Sequence, residues 1–227
     1  MRIFTRTAVL AFGFAVAIGA AAEATPLASD RDMVTGVSVT EADCRAQIGG
    51  LWVTAENRGF CVRFWLSTAG GSKDEALVAF DGDIGGRIDG KLQLLEWVRP
   101  INDESLQKAA DNGSRLYRGP YFLIARPGTF GSSGHHLKDR KTLLEIRVAM
   151  AALDALKQRY GFKRFHLVGQ SGGGHTVAGL VQLRSDIGCA VIASGPTSLR
   201  SMQRDSGHPI VGKPQFYDPI DHVNCIS

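Results

Sequence analysis

Apolar positions in this chain gather into short runs, each closed by glycine, proline or charge. Residues 76–80, 121–125, 165–168 and 189–193 have the length and composition of buried strands. Between them the spacing changes to that of helices. From about Asp139 to Tyr160, Leu144, Val148, Ala151 and Ala155 share one face, widened by Leu143, Ile146, Met150 and Leu153. Arg140, Lys141, Arg147, Lys157 and Arg159 mostly lie elsewhere, and Gly161 suits the C-terminal cap. Residues 103–110 and 176–183 also read as helices, while 92–98 fits either a strand or a helix and is broken by Pro100. Strand alternating with helix at this spacing makes βαβ units and a parallel sheet. The chain predicts a single α/β domain.

Ahead of these runs the pattern is different. Residues 44–53 and 59–66, rich in aromatic and β-branched side chains, bracket the turn-forming residues 56–59 and predict an antiparallel hairpin. Trp52, Phe60 and Trp65 read as core residues. Residues 25–42 are polar and weakly patterned, a flexible lead-in. The first residues have another purpose: Arg2 and Arg6 precede an uncharged apolar segment from Ala8 to Ala20, then small-x-small cleavage patterns ending at Ala22 and Ala24. The segment is short for a membrane span and contains Gly13 and Gly19. The expected organisation is a signal peptide over 1–24, a lead-in and hairpin over 25–73, and the α/β core over 74–227, exported to the periplasm or beyond.

Export alters how the four cysteines read, because an oxidising compartment favours disulfides. Three pairings are possible; Cys44 with Cys61 and Cys189 with Cys225 are the pairs nearest in sequence, the first fastening the hairpin. No C-x-x-C or close Cys/His set suggests a metal site. A net charge of +4 without a basic stripe implies no nucleic-acid partner.

The candidate chemistry lies in Arg164-Phe-His-Leu-Val-Gly-Gln-Ser-Gly-Gly-Gly-His-Thr176. A strand, a glycine-rich turn and a helix place Ser171 on a nucleophile elbow, G-x-S-x-G. Side chains at Gly169 and Gly173 would strike the strand or the helix, and the hydroxyl stands at a helix N-terminus where free N–H groups can hold an oxyanion. The same stretch is one residue from a phosphate-binding loop, but His175 occupies the position of the required lysine, and Ser171 replaces the middle glycine of the dinucleotide pattern.

Other landmarks follow in the order of the α/β-hydrolase superfamily. Residues 76–80 with Asp81-Gly82-Asp83 resemble its strand and His-Gly-x oxyanion turn, although Asp81 stands where histidine is common. Residues 121–125 with Arg126-Pro127-Gly128-x-x-Gly131-Ser132 resemble its next strand and loop. Residues 217–223 are similar to the Ser-Pro-Ile-Asp-His-Val stretch of prolyl-oligopeptidase-type hydrolases. The resemblance covers about residues 74–223. It implies a mostly parallel sheet with helices on both faces and Ser171 as nucleophile. Gly172 and Asp83 become the oxyanion N–H donors, with an ester or peptide as substrate and no cofactor. Arg126 and Ser132 become supports of their loop.

A serine nucleophile also needs a base and an orienting acid, which in this superfamily follow on later strands. No further strand is expected after Ala193, so the sheet is expected to lack its C-terminal strands and to leave 189–193 as a bare edge. His175 is expected to pack or cap near the elbow, His135 and His136 to sit in an exposed loop, and His166 to be structural. Asp205 with His208, and Asp218 with His222, come in acid-then-base order but are closely spaced. Two functional expectations follow: a serine hydrolase, or a hydrolase-like remnant with a binding role. A phosphate-binding protein is the weaker third.

Overall fold

The computed structural model describes residues 27–71, 74–206 and 216–223. Its elements are, in order, α1 (Asp30–Thr35), α2 (Glu41–Ala46), β1 (Gly50–Ala55), β2 (Arg58–Thr68), β3 (Glu75–Phe80), β4 (Gly85–Ile88) and β5 (Lys91–Leu94). After them come α3 (Asp103–Tyr117), β6 (Pro120–Ile124), α4 (His136–Asp139), α5 (Leu143–Tyr160), β7 (Arg164–Gln170), α6 (Gly172–Leu183), β8 (Ile187–Ala193) and α7 (Leu199–Ser206). Single 3-10 turns cover Glu96–Val98 and Pro219–His222.

Six strands form one sheet in the order β1-β2-β6-β3-β7-β8. The β6, β3, β7 and β8 strands run parallel, and the β1–β2 hairpin continues the sheet through an antiparallel β2–β6 pairing. This is the expected α/β architecture. β3, β6 and β7 read as unbroken apolar runs because both their faces are covered, whereas β8 carries the same signature on the exposed margin. On β6, Phe122 and Ile124 enter the core shared with α5 and α6, while Leu123 enters the opposite core with Met33, Ile84, Leu106 and Phe130. On β3, Val78 and Phe80 likewise face one side and Ala79 the other.

Two expectations are corrected. The lead-in is not irregular: Ser29 and Asp32 form a capping box that starts α1, Met33 is fully buried, and Val37 bridges to Gly134. The long helix starts later than expected, at Leu143, because Lys141 takes a left-handed φ of 62° and Thr142 caps the start by accepting from the Glu145 N–H at 3.3 Å. Residues 92–98 hold both alternatives, β5 and then a 3-10 turn. In addition, α3 runs on to Tyr117, and α6 begins at Gly172, despite its glycines.

Cys44 and Cys61 form the expected disulfide, joining α2 to β2. Cys189 is an exposed free thiol on β8, and Cys225 lies outside the described residues. The second pairing is therefore not among those observed. β8 ends the sheet, with no further strand beside it among the described residues, and Val191 is 53% exposed.

Candidate active site

The elbow is built by steric necessity. Ser171 sits between β7 and α6 at φ 50° and ψ −115°, and its N–H donates to Ala193 O at 2.8 Å. That backbone conformation is costly for a residue with a side chain and is seen where the surroundings enforce it. They do so here. A Cβ at Gly169 would lie 2.3 Å from Gly173 O, and one at Gly173 would lie 2.1 Å from Phe80 O. A Cβ on Gly82 would lie 3.3 Å from the Ser171 Cβ, so the turn after β3 is pressed against the serine. Among the described residues neither the Asp83 N–H nor the Gly172 N–H makes a hydrogen bond.

Behind the elbow lies a buried set of charges. Arg126, 2% exposed, donates from Nε to Glu145 Oε1 at 2.8 Å and from Nη1 to Asp83 Oδ1 at 3.0 Å and Asp81 O at 3.2 Å. Arg140 Nη1 donates to Asp83 Oδ2 at 3.0 Å, and Lys141 Nζ lies 3.3 Å from the same oxygen. Burial pushes the Asp83 carboxyl up, but Arg126, Lys141 and Arg140 outweigh it and hold the group well below the usual carboxylate range. For Glu145 burial wins over Arg126, and the carboxyl is raised; Asp81 is raised for the same reason. Ser132 Oγ accepts from Arg63 N at 2.9 Å and donates to Ala125 O at 3.3 Å. Arg126 and Ser132 thus brace the strand ends that shape the site.

The serine opens onto a cleft of about 820 Å³, lined also by Lys141, Ser194, Thr197, Ser201, Met202 and Asp205. Among the described residues no histidine lines it and none bonds the Ser171 hydroxyl. His136, expected on an exposed loop, is fully buried; its Nε2 accepts from the Ile84 N–H at 3.2 Å. Burial and then Arg126 push its pKa down to about 3. His175 is also buried, with Nε2 2.8 Å from Tyr217 O and a pKa lowered by burial to about 4. A neutral ring turned inward rules it out as the cation of a phosphate loop. His135 caps α4, and His166 lies 3.2 Å from Glu75 on β7.

Of the paired candidates, Asp218 is committed elsewhere. Its carboxylate accepts from the Leu199 and Arg200 N–H groups at 2.9 and 3.0 Å, capping α7. The His222 ring stacks on Tyr217 with centroids 4.4 Å apart, and both line a separate cavity of about 580 Å³. Asp205 does reach the Ser171 cleft, and His208 lies outside the described residues. Lys141 is the residue that helical periodicity missed, since a continuous helix would have carried it elsewhere. Thr142-x-x-Glu145 is the capping signal that marks the break. Among the described residues no group of His, Cys, Asp or Glu is placed to hold a metal ion. No described helix is long and apolar enough to cross a membrane.

No protein-family model matches the chain, and no curated protein does. Solved structures of similar fold include an esterase of Pyrococcus furiosus, 18% identical, matched over 78% of this chain and 62% of that one with a TM-score of 0.49. Another is Est1E from Butyrivibrio proteoclasticus with ferulic acid bound, 13% identical over 75% of this chain and 61% of that one, TM-score 0.49. A proline iminopeptidase of Mycobacterium smegmatis is 19% identical over 70% and 48%, TM-score 0.44. These are likenesses of fold. The chain spans less than two thirds of the length of each.

Proposed function

We propose that the chain is an exported serine hydrolase that cleaves an ester or peptide bond in a small-molecule or peptide substrate. The observation that carries the reading is the Ser171 backbone, held at φ 50° between β7 and α6 with its hydroxyl at an open cleft. Ser171 Oγ attacks the substrate carbonyl carbon, and the free N–H groups of Gly172 and Asp83 receive the oxygen as it becomes negative. The serine proton passes to the leaving oxygen or nitrogen as the scissile bond breaks, and water then releases the acyl group. Arg126 and Arg140 neutralise the Asp83 carboxylate, which otherwise repels an oxyanion bound a few atoms away. With Asp205 lining the cleft three positions earlier, His208 is the imidazole we assign as proton carrier. The Cys44–Cys61 disulfide and the N-terminal segment support export.

Treating the purified protein with a fluorophosphonate and mapping the adduct tests the nucleophile. Labelling at Ser171, abolished in Ser171→Ala, is expected. A folded protein that takes up no label is a binding fold that keeps the elbow without turnover. The pH profile of labelling is then compared between the protein and its His208→Ala variant. A profile unchanged in His208→Ala removes that residue from the mechanism.

A further inference from the structure

We propose that Lys141 anchors a carboxylate-binding subsite in the Ser171 cleft, so that the preferred substrate carries a free carboxylate close to its scissile bond. The inference rests on the Ser171 reading for its catalytic meaning, and on Lys141 itself for the binding. The lysine backbone is fixed from both sides in a conformation unusual for a residue with a side chain. Its N–H donates to Glu145 Oε2 at 2.8 Å, its carbonyl accepts from the Tyr217 N–H at 3.1 Å, and φ is 62°. These bonds hold the lysine at the break between α4 and α5, where it lines the same cleft as the serine.

The ammonium has donors to spare. It makes no hydrogen bond among the described residues, although Asp83 Oδ2 is 3.3 Å away. The Asp83 oxygens are already engaged, Oδ1 by Arg126 and Oδ2 by Arg140. A lysine offers three N–H donors in rotatable positions, and an incoming carboxylate supplies the acceptors that Asp83 does not. The facing wall suits such a ligand. Ser194, Thr197, Ser198 and Ser201 bring hydroxyls to the cleft, and Met202 with Ile220 gives an apolar surface for a short carbon chain. Asp205 also lines the cleft, from an exposed position on α7, and opposes an anion there. Lys141 is the cation that lines the cleft and Asp205 its opposing charge, so the preference for an anion is what the titration below measures.

Calorimetric titration of the full chain with glutarate and with its uncharged diamide tests the proposal without requiring turnover. Glutarate should bind, glutaramide should not, and high salt should weaken the glutarate signal. Lys141→Met should weaken glutarate about tenfold or more, the usual worth of a hydrogen bond to a charged group, and Lys141→Arg should restore much of it. The proposal is overturned if glutarate fails to bind, binds no better than glutaramide, or binds Lys141→Met as well as the original. The wild-type comparison of the two ligands decides the matter even where a variant fails to fold. Fluorophosphonate labelling separates the two readings: labelled protein indifferent to glutarate sinks the subsite alone. Unlabelled protein that binds glutarate through Lys141 keeps the subsite and sinks the hydrolase.

Discussion

Single atoms decide much of the elbow. Gly173→Ala should destabilise the protein by at least the roughly 1–3 kcal/mol typical of overpacking, because its new methyl meets the backbone carbonyl of Phe80. Urea unfolding of the variant measures the loss. That constraint was legible in G-x-S-x-G. The pressure on Gly172 was not: a methyl there would lie 2.1 Å from Asp83 Oδ1, a neighbour brought in from a distant turn. Buried histidines set the acid response. His136 and His175 have folded pKa values of about 3 and about 4, below the ordinary value of 6.5. The unfolded chain therefore takes up their protons first as pH falls. Their stabilisation is complete above pH 6.5 and is lost on the way down, by up to about 1.4 kcal/mol per pH unit for each. The depressed Asp83 adds a further loss below the ordinary aspartate range, while the raised Glu145 and Asp81 act in the opposite sense. His136→Gln should flatten the slope of unfolding free energy between pH 6.5 and 4.5, read from denaturant melts at several pH values.

At the scale of elements, the inner strands β3, β6 and β7 were the most legible part because two covered faces leave an uninterrupted apolar signature. Helix boundaries were harder. A run of helical periodicity from 139 to 160 hid a restart, since Thr142 and Glu145 fit a helix interior as well as its first turn. The polar lead-in hid α1 because its order comes from one buried methionine and a capping box, both too short to make a pattern. Two links between elements carry measurable weight. Opening the Cys44–Cys61 disulfide, whose ends are 17 positions apart in sequence, should cost about 3 kcal/mol, checked by melting the Cys44→Ala/Cys61→Ala protein. Arg126 joins the turn after β3 to α5. Arg126→Ala leaves the buried Glu145 and Asp83 carboxylates without it and should cost about 3–5 kcal/mol, checked by denaturant unfolding.

For the molecule as a whole, the parallel sheet followed from the order of apolar runs. The acid and base did not, because such groups are set by loops whose placement depends on tertiary contacts rather than periodicity. Asp218 illustrates the point: its spacing from His222 suggested a pair, while its carboxylate is consumed by the start of α7. The β8 margin has a physical consequence. Unpaired strand groups flanked by exposed Val191 and Ala190 invite pairing with another chain. Val191→Lys should shift light scattering at high protein concentration towards the monomer, whereas equal scattering from both proteins removes β8 as the cause of self-association.

One last consequence concerns Ser171 and heat. Glycine meets a φ of 50° and ψ of −115° without penalty, whereas alanine relieves nothing. A library randomised at this codon and sorted for survival after heating should fill with glycine. The same library sorted for turnover should return serine. The position is a place where endurance and chemistry ask for different residues.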